Sequence, residues 1–216
     1  MKFNKLTYFI PNFTTHKTNT KSFENLKDGY TFYADFKLDK FIENEACIIG
    51  RQDEHYMGLF LQNPNAIKFC WHNKDNTYTD IFIEMDDVYS HMRVLVTISD
   101  EIRIYKDGFF LGSKKCNNML DYNDKNILIG SINPHFEQWE CAFDGTINEV
   151  KIFDGVITNS DNTDNLYSHF IFNEQSRFKT FDSSGNGNHG VYYENPVYRN
   201  EKINEYTKIG PKQKII

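Results

Sequence analysis

The stretch YTFYADFKL, residues 30–38, decides the fold class of this 216-residue chain. Its apolar side chains occupy every second position, at Tyr30, Phe32, Ala34, Phe36 and Leu38. Because successive side chains of an extended strand point to opposite faces, this period of two predicts a strand with one buried face. The segment therefore predicts one strand in a layer of a β protein.

The same alternation recurs along the chain, and turn residues separate the repeats. It predicts further strands at residues 67–72, 81–85, 93–98 and 102–105. Uninterrupted apolar stretches at 46–49 and 127–129 predict inner strands that are covered on both faces. Only Asp161–Tyr167, after Ser160 as a cap, admits a short helix. The pattern predicts an all-β, antiparallel β-sandwich or barrel.

Two local patterns specify how the predicted strands turn and bend. Asp107-Gly108 lies between two strand-like segments and predicts a tight hairpin, because both residues tolerate the positive φ that such a turn needs. Further on, Ile147 and Glu149 keep one phase of the alternation, whereas Val150 and Ile152 keep the other. A phase slip inside one strand predicts a β-bulge.

Composition and charge argue against several classes of protein. The net charge of −6 and the pI of about 5.6 argue against nucleic-acid binding, which needs a basic surface. No two of the four cysteines form a C-x-x-C pair, so we expect a disulfide-free chain, although the even count leaves a bridged form open.

The start of the chain carries no recognisable targeting signal. The apolar run at residues 6–10 is too short for a signal-peptide core, and no stretch approaches the ~20 apolar residues that span a bilayer. The localisation stays open between cytoplasmic, virion and surface-associated.

The stretch FDGTINEVKIF, residues 143–153, resembles the closing signature F-x-G-x-I-D-E-V-R-I-Y of laminin-G-like domains. Other segments are similar to earlier strands and the hairpin of the same family, at residues 48–51, 56–62, 93–98, 101–108 and 127–130. The resemblance covers about Tyr30 to Tyr167. It identifies the chain as a member of the laminin-G-like or concanavalin A-like lectin-glucanase family, and it implies a jelly roll.

The sequence departs from the family pattern in three places. Ser90-His91 lies where the family often has Trp-His, and Asn148 replaces the usual Asp. The segment 181–190 resembles D-S-S-G-N-G-N-H-G, which normally lies near the start of such a domain. Either it begins a second, truncated domain or it folds back to complete the same sandwich, and we favour the second alternative.

We therefore expect three regions in the chain. Residues 1–24 form an N-terminal arm or edge strand, residues 25–195 form the jelly-roll domain, and residues 196–216 form a C-terminal tail or linker.

The resemblance implies a non-catalytic, lectin-like carbohydrate-binding module, accessory to a larger glycan-processing or surface-attachment system. Sugar sites place an exposed aromatic face beside planar polar groups. Two clusters of the sequence fit this description: Trp139 with His135 and Gln138, and Trp71 with His72, Asn73 and Tyr78. The phase of Trp71 with Phe69 equally allows a core position for this indole.

Two other functions stay open. The chain could be a structural or protein-interaction module of a virion, fibre or adhesin that associates with other proteins or with itself. It could also be a glycoside hydrolase, since this fold houses glucanases, but Glu84-Met85-Asp86-Asp87-Val88-Tyr89 lacks the third acid of the glucanase pattern. We therefore expect no enzymatic activity.

Calcium is the one cofactor that the resemblance brings into consideration. Related jelly rolls hold Ca²⁺ at the rim of the sandwich with loop carboxylates and carbonyls. Five aspartates are candidates by position alone: Asp75, Asp80, Asp86, Asp87 and Asp121. Solvated loop acids explain the same pattern, so no ligands are assigned.

Overall fold

The computed structural model describes residues 2–3, 7–11, 29–51, 57–73, 75–116, 127–132, 141–172 and 179–194, which form two antiparallel sheets around one core. The strands are β1 (Lys2–Phe3), β2 (Thr7–Pro11), β3 (Tyr30–Phe41), β4 (Glu45–Arg51), β5 (Gly58–Gln62), β6 (Ala66–His72), β7 (Tyr78–Glu84), β8 (Met92–Ile98), β9 (Glu101–Lys106), β10 (Phe109–Lys115), β11 (Ile127–Ile129), β12 (Phe143–Asp154), β13 (Leu166–Phe170), β14 (Lys179–Thr180) and β15 (Gly190–Glu194). This architecture confirms the predicted antiparallel β-sandwich.

The two sheets differ in size and in strand order. Sheet A runs β1-β12-β3-β8-β9-β10, and β13 pairs with the far end of β12. Sheet B runs β14-β15-β2-β11-β4-β5-β6-β7. The edge strands β10 and β7 lie next to each other, where Lys114 Nζ donates a hydrogen bond to the Asp80 carbonyl at 2.6 Å. This contact ties the two sheets together along one side.

The core consists of the inward-facing members of the alternating segments. Phe32 and Phe36 of β3 are buried, and the Phe36 ring meets the Phe143 ring edge-on at 6.0 Å between centroids. From sheet B, the buried Trp71 lies 5.9 Å from Tyr30 and 6.3 Å from Phe69. Residues from both sheets share this cluster, so the period of two seen in the sequence marks the core-facing side.

The hairpin and the bulge both form where the sequence predicts them. Asp107 and Gly108 adopt φ of 51° and 85° between β9 and β10. The register of β12 against β3 shifts between Ile147 and Glu149. Both predictions are confirmed, and the bulge turns Asn148 and Glu149 toward the outer face of sheet A.

The short helix expected at Asp161–Tyr167 is wrong. Side chains of Asn159 and Asn162 accept hydrogen bonds from the backbone N–H two residues later, at 3.0 and 2.8 Å, which closes turns in place of a helix. Asn165 then takes a positive φ of 60°, and β13 begins at Leu166. Among the described residues, the structure has no helix with the length and hydropathy that a membrane crossing needs.

The segment 181–190 lies against β13 and leads into sheet B. Asp182 accepts hydrogen bonds from the backbone N–H of His169, Ser184 and Asn188 at 2.8–3.0 Å. The strand that follows, β15, pairs with β2, and β2 also pairs with β11. In this structure the segment is therefore built into the same sandwich, beside a strand from the start of the chain.

Candidate functional site

The outer face of sheet A carries a row of charged residues at its centre. The alternation that buries Phe36 places Asp35 on this face. In the register of the sheet, Asp35 lies opposite Arg93 of β8 on one side and opposite Glu149 of β12 on the other. Since like charges directly opposite each other destabilise a sheet, each carboxylate needs its own basic partners.

Asp35 gathers three polar side chains from distant parts of the sequence. Its Oδ1 accepts from His91 Nε2 at 2.7 Å and from Asn148 Nδ2 at 2.7 Å, and its Oδ2 accepts from Arg93 Nε at 3.1 Å. The carboxylate itself is nearly buried. These four residues are the Asp35 cluster.

The cluster keeps Asp35 ionised. Burial acts to raise the pKa of this carboxyl group, but the hydrogen bonds from Asn148, His91 and Arg93 outweigh burial and hold the pKa below its usual value. Each bond favours the charged form, because all three groups donate to the carboxylate.

The basic members of the Asp35 cluster face solvent. The side chains of Arg93 and His91 are 63% and 49% exposed, and Asn148 is also exposed. Among the described residues, the Nη groups of Arg93, Nδ1 of His91 and Oδ1 of Asn148 have no hydrogen-bond partner. The cluster therefore offers donors and an acceptor that are fixed on one side and open on the other.

An aromatic pair lies next to the Asp35 cluster on the same face. Tyr105 and Phe110 are cross-strand partners whose rings meet at 5.5 Å, and Phe110 is 56% exposed. Because Tyr105 pairs with Leu95, two residues from Arg93, Tyr105 and Arg93 are diagonal neighbours at ~7–8 Å. The Asp35 cluster and this aromatic pair together are the sheet A surface.

Glu149 forms a second cluster that is covered. Its Oε1 accepts from His169 Nε2 at 2.6 Å and from Lys151 Nζ at 3.1 Å. The side chains of His169 and Lys151 are only 16% and 15% exposed. Lys151 also donates to the Ser160 carbonyl at 3.1 Å, in the segment that leads from β12 to β13. These three residues, Glu149, His169 and Lys151, are the Glu149 cluster.

The pairing of Asp35 with Glu149 does not provide the acid of a glycosidase. A retaining mechanism needs one protonated carboxyl group with a raised pKa beside an ionised one. The hydrogen bond from His169 lowers the pKa of Glu149. Burial opposes this effect, and Lys151 adds to it. The pKa of Asp35 is lowered as well. Both groups are ionised at neutral pH.

A cleft of about 370 Å³ opens at the tip of the β9–β10 hairpin, beside the sheet A surface. Phe109, which is 76% exposed, lines it with Met85 and Leu111. Adjacent residues of a strand point to opposite faces, so Phe109 lines the cleft whereas Phe110 lies on the sheet A surface.

The comparison with protein families agrees with the fold. The laminin-G model of the concanavalin A-like lectin/glucanases superfamily matches residues 12–161, more than half of the chain. The chain belongs to this superfamily. The resemblance seen first in residues 143–153 is thereby confirmed. A comparison with curated proteins finds no match.

Solved structures with similar folds include several sugar-binding proteins. A protein from Bacteroides ovatus ATCC 8483, provisionally described as carbohydrate binding, gives a TM-score of 0.62 at 14% identity, over 89% of this chain and 58% of its own. The CBM40 module of Ruminococcus gnavus IT-sialidase, bound to α2,3 sialyllactose, gives 0.53 at 10% identity, over 60% of this chain and 78% of its own. The binding domain of botulinum neurotoxin DC in complex with SialylT gives 0.52 at 14% identity, over 70% of this chain and 37% of its own. These identities establish a shared fold and nothing finer.

In this lectin/glucanase domain, the residues predicted around Trp71 separate onto two sides of sheet B. The Trp71 indole lies in the core, the alternative that its phase with Phe69 left open. On the other side, the His72 ring lies 4.7 Å from the exposed Tyr78 ring. Asn73 is buried and donates to Thr77 and Thr79 at 3.0 Å.

Some of the other residues predicted from the sequence fall outside the part of the chain that the structure describes. Trp139, His135 and Gln138 lie outside the described residues, as does Asp121. In the part of the chain that the structure describes, no group of three or more His, Cys, Asp or Glu is arranged to hold a metal ion. Calcium therefore stays a prediction without ligands.

The sequence offered one unused signal for the sheet A surface. Asn148 departs from the usual Asp of the family, and the structure gives the physical reason. An Asp at this position would put a second carboxylate beside Asp35 Oδ1, whereas the Asn148 amide donates to it at 2.7 Å. Asn148 and His91, which belong to two places where the sequence departs from the family pattern, are thus both residues that bond to Asp35.

Proposed function

We propose that this domain is a non-catalytic carbohydrate-binding module whose glycan site is the sheet A surface. The observation that carries the proposal is the aromatic pair, with Phe110 exposed, beside three polar groups that one buried carboxylate holds in place. Aromatic rings with adjacent planar polar groups are what a sugar site requires. The aromatic pair alone would equally suit an apolar partner.

The sheet A surface supplies both halves of sugar recognition. The exposed Phe110 ring, packed on Tyr105, provides the aromatic surface for the apolar side of a pyranose. Arg93 and Asn148 offer a donor and an acceptor to its hydroxyl groups. Because the surface is open, affinity for a single sugar should be weak, and repetition of the module in a larger glycan-processing or surface-attachment system would raise it by avidity.

Two further observations support binding without catalysis. The Asp35 and Glu149 carboxylates are ionised and already bonded to bases, so neither offers a proton to a leaving group. Solved structures of the same fold include a sialidase CBM40 module and a toxin binding domain, each in complex with a sialylated ligand.

A glycan array with matched variants tests the proposal. Phe110→Ala should lower binding about tenfold or more, because it removes the exposed ring of the aromatic pair. Phe109→Ala is the control, since this neighbouring and even more exposed ring lies in the hairpin-tip cleft. No binding by the wild type, or equal loss in both variants, would argue against the sheet A surface.

The same array examines the two sites predicted from the sequence. Trp139→Ala tests the cluster with His135 and Gln138, and Tyr78→Ala tests the exposed ring beside His72. Trp71 is unsuitable as a probe because its removal would open a cavity in the core. Binding that depends on Tyr78 but not on Phe110 would move the site to sheet B, and binding that depends on Trp139 but not on Phe110 would move it to the cluster of Trp139, His135 and Gln138.

A further inference from the structure

Arg93 is the one member of the sheet A surface with a permanent positive charge and an open side. Its Nε donates a hydrogen bond to Asp35 Oδ2 at 3.1 Å, while its two Nη groups have no hydrogen-bond partner among the described residues. Its backbone N–H is held as well, by Asp107 Oδ1 at 3.0 Å. The guanidinium group is thus held at its inner edge and presents its outer edge to solvent.

The carboxylates near Arg93 do not compete for that outer edge. Asp35 accepts three hydrogen bonds and is nearly buried, and Asp107 Oδ1 accepts from the backbone of Arg93. Glu149 is engaged by His169 and Lys151. The planar fork of a guanidinium group matches the two oxygens of a carboxylate in a bidentate pair, which a neutral hydroxyl cannot reproduce.

We infer that the ligand of the sheet A surface is an acidic sugar whose carboxylate pairs with the Nη groups of Arg93. This inference rests on the proposed function. Tyr105 of the aromatic pair lies diagonally from Arg93 at ~7–8 Å, and Phe110 lies one strand further out, so a sugar bound at Arg93 extends toward the aromatic pair. Exposed His91 binds the same Asp35 carboxylate as Arg93 and adds a further polar group to this side of the surface.

Carboxylate-bearing sugars come from two sources, terminal sialic acids and uronic acid polymers, and matched pairs of ligands separate them. Binding of 3′-sialyllactose is compared with binding of lactose. Binding of galacturonate oligomers is compared with that of their carboxyl-reduced form. At least one acidic member should bind about tenfold or more tightly than its neutral partner, and added salt should weaken the preference.

Variants at position 93 assign the preference to the guanidinium group. Arg93→Ala should abolish the preference, and Arg93→Lys should keep part of it, because the ammonium group preserves the charge but not the fork. The exposed position of Arg93 predicts that both variants fold, which thermal unfolding checks. If Arg93→Ala fails to fold, Arg93→Lys and the salt series still decide the question.

The outcomes separate this inference from the proposed function. Glycan binding without preference for the acidic partner, or a preference that survives in Arg93→Ala, would overturn the inference and leave glycan binding standing. Binding to no glycan, acidic or neutral, would overturn both.

Discussion

The Asp35 cluster and the Glu149 cluster use the same chemistry on the same face of one sheet. In each, a carboxylate binds a histidine Nε2, at 2.7 and 2.6 Å, and a basic side chain, Arg93 or Lys151, at 3.1 Å. They differ in cover, because Lys151 and His169 are largely buried whereas Arg93 and His91 are open. The same contacts are therefore closed off from solvent in one place, whereas in the other they leave polar groups open, which is where we propose that glycans bind.

The cover over the Glu149 side comes from the segment after β12. Ile157 packs on Tyr33 and Leu95 in a small cluster on the outer face, and its N–H donates to Thr31 Oγ1 at 2.8 Å. Lys151 lies over the Tyr33 ring, with Nζ 5.2 Å from the ring centroid, and bonds to the Ser160 carbonyl. The Asp35 cluster lies beyond this cover.

The largest loss of stability is expected from Glu149→Ala. Removal of this carboxylate leaves the covered Lys151 and His169 without their acceptor, so the free energy of unfolding should fall by about 2–3 kcal/mol. Urea denaturation measures the loss. Glycan binding per folded molecule should stay at the wild-type level, and a parallel loss of affinity would break the comparison between the two clusters.

A smaller effect, with a distinct pH dependence, is expected from Asp35→Asn. The pKa of Asp35 is lowered in the folded state, so the carboxylate contributes stability above its unfolded pKa and loses that contribution as the pH falls through the folded pKa. The variant should be less stable by about 1.5 kcal/mol at pH 7. Its stability curve should converge with that of the wild type as the pH falls below the ordinary value of 3.8 and through the lowered pKa of the folded state.

Denaturation curves over a pH series provide the check. A constant gap between Asp35→Asn and wild type at all pH values would mean that the ionised carboxylate does not organise the cluster.

Asn148→Asp tests why this chain has Asn148 where the family usually has Asp. The substitution places a second carboxylate next to Asp35 and removes a donor, so stability should fall by about 0.5–1 kcal/mol at neutral pH. Asn148→Ala is the control, because it removes the donor without adding charge. The gap between the two variants should close on acidification, and equal stability of the two at pH 7 would refute the electrostatic explanation.

The smallest effect on stability is expected from Arg93→Ala. This exposed side chain should leave the denaturation midpoint close to that of the wild type, while glycan binding falls about tenfold or more. Lys151→Ala is the counterpart on the covered side and should show the reverse pattern. A marked loss of stability in Arg93→Ala with unchanged glycan binding would contradict this assignment, because it would make Arg93 a stabilising residue and not a binding residue.

The fold could be predicted from local patterns because each pattern fixed one local geometry. The alternation at residues 30–38 gave the buried face of β3, Asp107-Gly108 gave the hairpin, and the slip after Ile147 gave the bulge. The helix at Asp161–Tyr167 failed because Asn159 and Asn162 bind their own backbone in turns.

The candidate site could not be predicted in the same way. Asp35 is an ordinary outward position of one strand, and its partners His91, Arg93 and Asn148 lie 56, 58 and 113 residues away. Their convergence depends on the order and register of β3, β8 and β12, which no single segment contains. The sequence predicted two aromatic and polar clusters elsewhere. The cluster at Trp139, His135 and Gln138 lies outside the described residues and stays a prediction, and Trp71 of the other takes the core position that its phase equally allowed.

An NMR titration with the strongest glycan from the array tests most directly whether the open cluster is the binding site. We expect the ring signals of His91 and the side-chain amide signals of Asn148 to shift as the glycan is added, while the ring signals of His169 in the covered cluster stay in place. Shifts confined to His169, or to the neighbourhood of Tyr78, with His91 and Asn148 unmoved, would contradict this expectation.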